Sequence, residues 1–445
     1  MWIAVALALA VPIAVVGFDS GSARAFPTPI QHVVVILQEN HAFDNLFAHM
    51  CIEDNRGCDA TLTGHRLDGS AVPLSAGTDM VPPVDHKQID QVNAMNGGAM
   101  NGFEKIQGCE TDQCYTAYEP TQIPTLAALA RSGAISDQFY SRDIVPSWGG
   151  HIDFFAQTLD GFRGENPVKH DKTQTFGPGW GCDSKKDTPW MDPVTHKWVW
   201  EPACIPAQDG SGPYRPSPAQ YVPTIADRIE AAGHTWAIYG NVTANNNNVS
   251  AYRWSICPSF AECFYGPQKK NLHTSTQMLS DAAKGTLPNF SIILPNGVQG
   301  QTSQHNGNSM ILGDNWIGQT VSAIQNGPDG PSTTIFVYYD DCGCFFDHAP
   351  PPAGLGIRLP IVMISPYAKV GYTDHTVSTN SSILAYAEHA LAIDPINTLD
   401  GSAYDLSNNF DYTQTPTPPF QFHPTKVPAS SIAYLKKHPP ADDDT

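Results

Sequence analysis

The stretch HVVVILQENHAFDNLF, residues 32–47, decides the fold. Its beginning, residues 32–37, is β-branched and apolar on both faces, which is typical of a strand buried in a sheet that helices cover on each side. Polar residues follow at once, beginning with Gln38, Glu39 and Asn40. The stretch therefore predicts a buried strand that ends in a group of polar side chains.

Similar runs alternate with helical segments along the rest of the chain. The further apolar runs are residues 235–239, 290–294, 334–339 and 359–364. Helices are predicted at 124–132 and 223–232, each followed by a glycine, and at 381–393, which opens with two serines that can cap it. This alternation predicts an α/β fold with a parallel sheet.

Two strand ends carry oxygen ligands that suit a divalent cation. Glu39 and Asn40 follow the first strand, and Asp340 and Asp341 follow a later one, with Gly343 placed to permit a turn. Ligands gather beyond the carboxyl ends of parallel strands, and carboxylate and amide oxygens are hard donors. A polar loop or a helix cap is the alternative interpretation of the first pair.

The composition excludes some classes of protein. A chain of 445 residues that is 41% hydrophobic can bury a large core, so we do not expect overall disorder. The formal charge of −19, with only 24 Lys and Arg, argues against a nucleic-acid partner, because that binding needs clustered cations. An anionic substrate would need a local positive site such as a metal ion.

The N-terminus indicates export. An apolar stretch from Trp2 to Phe18 precedes the small-x-small sequence Ala23-Arg24-Ala25, which predicts a signal peptide over residues 1–25. A retained membrane anchor is the alternative. No other stretch is apolar for long enough to cross a bilayer, so we expect no stable membrane span after cleavage and a secreted or periplasmic protein.

The ten cysteines occur as near neighbours, which beside an export signal suggests disulfides that close local loops. The neighbours are Cys51 and Cys58, Cys109 and Cys114, Cys182 and Cys204, Cys257 and Cys263, and Cys342 and Cys344. A ring closed between the last two would be strained, so they are expected to be free or partnered elsewhere.

Two long segments resemble the signatures of the bacterial phosphoesterase family that contains acid phosphatases and C-type phospholipases. Residues 32–47 match its strand followed by Glu-Asn-x-x-Phe-Asp, and IFVYYDDCGCFFDHAPPP, residues 335–352, is similar to its Tyr-Asp-Glu, Gly and Asp-His-Val-Pro-Pro pattern. The resemblance covers roughly residues 31–395. It implies an alkaline-phosphatase-like fold, with a mostly parallel central sheet flanked by helices on both faces.

The resemblance also implies a domain organisation and a metal site. It makes residues 26–395 the catalytic domain. Composition alone indicates a loop-rich insertion at 160–220, which is rich in Gly, Pro, Trp and Asp, and a Pro-rich C-terminal tail at 396–445. One divalent ion, whether calcium, magnesium, manganese or zinc, would be held by residues at the two strand ends. These implied ligands are Glu39, Asn40, Asp340 and Asp341, of which Asp341 stands where the family normally has Glu.

The nucleophile of the family is a Ser or Thr at a turn into a helix. The segment IVPSWGGH, residues 144–151, resembles that turn, so Ser147 matches the nucleophile and His151 the basic residue four places on. Gly150 departs from the usual Asn. On the residues alone, a serine after proline is most often a helix cap, and the family match is what makes Ser147 the candidate nucleophile.

Three further histidines match site positions of the family. His305, in Ser303-Gln304-His305, would stabilise the phosphoryl oxygens or protonate the leaving group. His86 resembles another site histidine, and His348 lies in the second signature, where it either acts in catalysis or orders the loop. Surface or structural roles are the alternative for each.

The resemblance predicts an exported, metal-dependent phosphoester hydrolase, acid phosphatase-like, that acts through a serine phospho-enzyme. Its substrate would be a small phosphate ester or a phospholipid head group. A phospholipase C-type phosphodiesterase is the nearest alternative. A non-catalytic metal-binding or ligand-binding module on the same fold is the alternative of another class. The sequence leaves the oligomeric state open.

Overall fold

The structure is a computed structural model that describes residues 28–177, 179–212, 215–240, 256–295 and 302–438. The predicted signal peptide, residues 1–25, lies outside the described residues.

A central sheet of eight strands organises the described part of the chain. The strands are β1 (His32–Gln38), β2 (Ala134–Ser136), β3 (Trp236–Gly240), β4 (Leu272–Thr274), β5 (Phe290–Ile293), β6 (Thr333–Tyr339), β7 (Ile361–Ile364) and β8 (Tyr372–Asp374). Their order across the sheet is β4-β3-β5-β1-β6-β7-β2-β8. All five predicted strands are present, and their ends differ from the prediction by one or two residues.

The sheet is mostly parallel, as predicted for an α/β fold. β1 lies at its centre, parallel to β5 and to β6, and only β7 runs antiparallel to its neighbours β6 and β2. Every residue from Val33 to Leu37 is fully buried, because both faces of a central parallel strand are covered.

Helices flank the sheet. They are α1 (Phe43–Glu53), α2 (Gln88–Met95), α3 (Pro124–Ser132), α4 (Ser147–Ala156), α5 (Ile225–Ala231), α6 (Ala261–Tyr265), α7 (Ser275–Lys284), α8 (Met310–Gln325), α9 (Asn380–Leu391), α10 (Thr398–Gly401) and α11 (Ala429–Lys437). The three predicted helices correspond to α3, α5 and α9. The N-cap of α9 is Thr379 rather than a serine, and its hydroxyl accepts from the backbone N–H of Ser381. Of the two serines expected to cap the helix, Ser382 completes the capping box by accepting from the Thr379 N–H at 3.2 Å.

Smaller ribbons and disulfides hold the surface loops. Two-stranded ribbons pair Thr63–His65 with Ala71–Pro73, Ser75–Ala76 with Thr116–Ala117, and Asp187–Met191 with Trp198–Pro202. Four of the five neighbouring cysteine pairs form disulfides, as expected. Cys342 and Cys344 are free and buried, in keeping with the strain argued for their ring.

The segment after residue 395 packs on the core as far as the structure describes it. Phe410 is buried against Tyr386, with ring centroids 4.9 Å apart, and Tyr386 in turn shares a hydrogen bond of 2.8 Å with Thr334 on β6. Within the described residues, no helix combines the length and apolar character that crossing a bilayer requires.

Candidate active site

The pairing of β1 with β6 brings the predicted acidic residues together. Gln38, the last residue of β1, lies opposite Tyr339, the last residue of β6. The residues that follow, Glu39 on one strand and Asp340 on the other, therefore leave the sheet at the same edge. Both are buried, as is Asp341. Two strand ends more than 290 residues apart in sequence thus share one acidic cluster.

Sharp turns after each strand aim the side chains into this cluster. Asn40 adopts a left-handed backbone with φ of 60°, a conformation that asparagine tolerates better than most residues. Gly343, with φ of 55°, turns the chain after β6, and its N–H donates to Asp341 Oδ1 at 2.7 Å. Such turns let adjacent residues, which point to opposite faces in a strand, approach one point.

Helix α4 presents Ser147 and His151 to the acidic cluster. Ser147 is the first residue of the helix, and its Oγ lies 3.4 Å from Glu39 Oε2 and 3.3 Å from Asp341 Oδ2. His151 lies one turn later on the same face, with Nε2 3.5 Å from Glu39 Oε1 and 3.5 Å from Asp340 Oδ2. The N-cap position belongs to Pro146, which makes no side-chain cap.

Gly150 allows this approach. A Cβ atom at residue 150 would lie 2.7 Å from the backbone oxygen of Asp340, closer than real Cβ contacts. The absence of a side chain at this position therefore lets α4 reach the end of β6. Gly150 departs from the Asn that the resemblance implies at this position.

His86 and His305 lie on the other side of Asn40. His86 Nε2 is 2.7 Å from the Asn40 side-chain nitrogen, and its Nδ1 is 3.0 Å from the backbone oxygen of Val84. The rings of His86 and His305 are 5.4 Å apart in an edge-to-face arrangement, and both side chains are buried. Asn40 therefore connects this histidine pair to the carboxylates.

The acidic cluster raises the affinity of its members for protons. Burial, then the charges of Glu39 and Asp341, holds the pKa of Asp340 well above its usual range. Burial also raises the pKa of Asp341, although His86 and the Gly343 N–H oppose that effect. Buried carboxylates at such separations are stable as anions only when a positive charge lies among them.

The donor set fits a divalent cation. One ligand atom from each of Glu39, His151 and Asp340 lies within 4.8 Å of the others. The side-chain oxygen of Asn40 also faces Glu39 Oε2 and Asp340 Oδ1 at 2.8 Å each, an arrangement that a cation between the oxygens would favour. With the amide turned over, its nitrogen would instead donate to both carboxylates. Asp341 points to Ser147 rather than into this group.

His348 lies in a different cluster. Its Nε2 is 2.9 Å from Asp59 Oδ1, and its Nδ1 makes a short hydrogen bond of 2.5 Å to Asp44 Oδ2. The buried Arg358 guanidinium contacts Asp44 at 3.3 Å and Asp347 at 3.2 Å. These contacts order the second signature against α1, so the structure does not join His348 to Ser147.

Sequence reasoning missed Arg358 and its two carboxylates. A detectable signal was present, because Arg358 is the one charged residue in the apolar block GIRLPIVMI, residues 356–364. An arginine in a buried segment that leads into a strand requires acidic partners, because burying an unpaired charge costs much free energy. The matching carboxylates, Asp44 and Asp347, lie in the two signatures themselves.

Comparison with known proteins shows the family to which the chain belongs. The profile of the Phosphoesterase family matches residues 30–393, and the chain therefore belongs to that family. The chain is a hydrolase of phosphoric esters.

Individual relatives are distant. Phospholipase C B of Mycobacterium tuberculosis is 24% identical, over 93% of this chain and 83% of its own length. Non-specific phospholipase C6 of Arabidopsis thaliana is 27% identical, over 86% of this chain and 69% of its own length. A solved protein of the alkaline phosphatase superfamily from Vibrio parahaemolyticus aligns over 87% of this chain and 72% of its own, with a TM-score of 0.39 and 13% identity.

Proposed function

We propose that this protein is an exported, metal-dependent phosphoester hydrolase in which Ser147 attacks phosphorus. The observation that carries the proposal is the position of the Ser147 hydroxyl, at the start of α4 and within 3.4 Å of carboxylates from both strand ends. A serine that only capped its helix would need no such acidic neighbours.

The chain's own residues provide the groups that the reaction requires. Ser147 Oγ forms a bond to phosphorus while its proton moves to Asp341 Oδ2, 3.3 Å away. The ester oxygen leaves on the opposite side of phosphorus, and a protonated His305 donates a proton to it. A water molecule then attacks the phosphoserine and gives a proton to His305, while the bond between phosphorus and Ser147 Oγ breaks and Asp341 returns the proton to Ser147.

Glu39, Asn40, Asp340 and His151 are the proposed residues for holding one divalent cation. Such an ion, when bound, acts as a Lewis acid that offsets the charge of the phosphoryl oxygens. Oxygen donors predominate, which favours a hard ion, although His151 also suits zinc or manganese. Asp341 is proposed as the proton acceptor and as an outer neighbour of the ion.

A phospholipase C-type specificity is the second candidate. The names of the aligned relatives favour it, because they are phospholipases C that cleave diesters, whereas the acid phosphatase interpretation requires a monoester. A diesterase leaves phosphate attached to one product, so release of inorganic phosphate separates the two specificities.

The test is hydrolysis of p-nitrophenyl phosphate and p-nitrophenyl phosphorylcholine by the purified chain, with and without chelator. We expect chelator-sensitive turnover that Ser147→Ala lowers by about four orders of magnitude or more, with cation binding retained. Ser275→Ala is the matched control, since Ser275 also begins a helix, α7. Full activity in Ser147→Ala would reject the nucleophile. Cation binding without turnover on either ester would favour the non-catalytic module.

A further inference from the structure

A cleft of about 440 Å³ opens beside the start of α4. Pro146, which directly precedes Ser147, lines it, and so does Lys87, which directly follows His86. The opposite wall comes from the loop at residues 163–169 and from Trp200 on the ribbon of the insertion. No candidate site residue lines the cleft, so it adjoins the active site as a separate feature.

Large apolar side chains are exposed around this cleft. Ile89, Val168 and Trp200 line it and are 52%, 46% and 46% exposed. Trp198 lies two residues before Trp200 on the same face of the ribbon and is 47% exposed, and Val194, at the ribbon's turn, is 84% exposed. Single exposed apolar residues are common, but three that line one cleft, with two more on the ribbon that carries Trp200, form a patch that needs an explanation. We call these five residues the apolar patch.

Cationic side chains line the cleft, although the chain as a whole carries a formal charge of −19. They are Lys87, Arg163 and Lys169, with one carboxylate, Glu165, and Lys87 is itself paired with Asp85 at 2.7 Å. The Arg163 guanidinium lies 5.7 Å from the centre of the Trp198 ring, so cationic and aromatic groups are interleaved. Cationic groups beside exposed aromatic rings suit an anionic surface.

The ribbon that carries the two tryptophans is held in place. The Trp190 indole N–H donates to the backbone oxygen of Asp160 at 2.9 Å, and the Thr188 hydroxyl donates to that of Glu165 at 2.6 Å. The disulfide between Cys182 and Cys204 encloses the ribbon. The exposed tryptophans are therefore presented in one orientation, which reduces the conformational entropy lost on docking.

We propose that the apolar patch and its cationic rim dock this protein on an anionic phospholipid bilayer. Tryptophan prefers the boundary between head groups and acyl chains, where its apolar ring and polar N–H both find partners. Lysine and arginine near that boundary are attracted to anionic lipids. A few apolar side chains with such a rim give reversible attachment, without any segment that spans the membrane.

Docking in this orientation would bring Pro146 and the start of α4 close to the lipid head groups. This consequence rests on the proposed function, because it assigns phospholipid in a bilayer as the ester that reaches Ser147. The docking itself does not depend on turnover and is measured without it.

The experiment is flotation of the full chain with vesicles of phosphatidylcholine containing about 30 mol% phosphatidylglycerol. Ser147→Ala serves as the parent, so that the lipid stays intact. The patch variants are Trp198→Ala/Trp200→Ala and Val194→Asp. The matched control is Val370→Asp, since Val370 is 62% exposed and lies outside the patch.

We expect the parent to float with the vesicles, and each patch variant to bind at least about fivefold less. Val370→Asp should bind like the parent, and salt or removal of phosphatidylglycerol should weaken binding. A parent that stays unbound, or patch variants that bind as well as the parent, would overturn the proposal and leave another protein as the occupant of the patch.

Turnover of soluble p-nitrophenyl esters by the patch variants, made in the wild-type chain, separates the two proposals. Vesicle binding in a chain that hydrolyses no ester supports docking and rejects the proposed function. If the wild-type chain hydrolyses the soluble esters but does not bind vesicles, the docking proposal is rejected and the proposed function stands.

Discussion

His86 Nε2 lies 2.7 Å from the side-chain nitrogen of Asn40, while His86 Nδ1 lies 3.0 Å from the carbonyl oxygen of Val84. The carbonyl can only accept, so Nδ1 carries the hydrogen, and in the neutral ring Nε2 accepts from Asn40. The Asn40 oxygen then faces the carboxylates of Glu39 and Asp340 at 2.8 Å. With the amide in this orientation, which a cation among the carboxylates would favour, His86 would direct an oxygen ligand towards the proposed cation.

Replacement of His86 by Phe should weaken cation binding by about 10-fold to 100-fold, because an outer hydrogen bond that orients a ligand is lost. Calorimetric titration of the metal-free chain with Mn²⁺ measures this directly. His65→Phe, at an exposed position on a surface ribbon, is the control and should bind normally. An unchanged Kd in His86→Phe would mean that Asn40 needs no such support.

Arg358→Met should destabilise the fold by about 3–5 kcal/mol, because it removes the buried guanidinium that the carboxylates of Asp44 and Asp347 share. The free energy of unfolding in urea gives the measurement. Arg131→Met is the matched control. Arg131 forms a two-point ion pair with Asp54 at the surface, so its replacement should lower the free energy of unfolding by less than about 1 kcal/mol. Similar losses in both variants would contradict the role of the buried cluster.

The pairing of His348 with Asp44 should make stability depend on pH. Burial lowers the pKa of His348, but the hydrogen bond and charge of Asp44, with Asp347, outweigh it and raise the pKa from 6.5 to about 9. The folded state therefore binds this proton more tightly than the unfolded state. Its contribution is complete below pH 6.5 and is lost as the pH rises towards 9.

Urea unfolding of His348→Gln tests this. The variant should lose part of the decline in unfolding free energy that the parent shows between those two pH values. His65→Gln should keep the decline of the parent. A decline of equal size in His348→Gln would assign it to other groups.

Gly150→Ala should impair turnover more than folding. The added Cβ would meet the Asp340 backbone oxygen at 2.7 Å, so α4 must move away from β6 and carry Ser147 with it. A displacement of this order costs about 100-fold in rate when it separates a nucleophile from its partners. The ratio of kcat in parent and variant gives the effect, with the unfolding free energy as control. Equal kcat values would show that the helix can accept the methyl group.

The sequence predicted the centre of the fold because β1 and β6 carry unusually clear signals. Their residues are apolar on both faces, as only central strands of a parallel sheet require, and their polar ends could be placed at one edge by a general rule of such sheets. The family resemblance also placed Ser147 at a turn into a helix, and the structure has it as the first residue of α4.

Other features depended on pairings that no local pattern encodes. β7 lies antiparallel between β6 and β2, an arrangement that depends on connections along the whole chain. The sequence of a short apolar strand does not indicate the direction in which it runs relative to its neighbours. The separation of His348 from the acidic cluster arises from Asp44, Asp59 and Arg358, which are distant in sequence. The contact of Gly150 with β6 is likewise visible only in three dimensions.

The pairing of β1 with β6 also sets the time at which chemistry becomes available during synthesis. The two strands are about 300 residues apart, so the ribosome has released most of the chain before Asp340 can join Glu39. A nascent chain, or any fragment that ends before β6, holds Ser147 and Glu39 without Asp340 and Asp341. Under the proposed mechanism, hydrolytic activity is therefore a late product of folding.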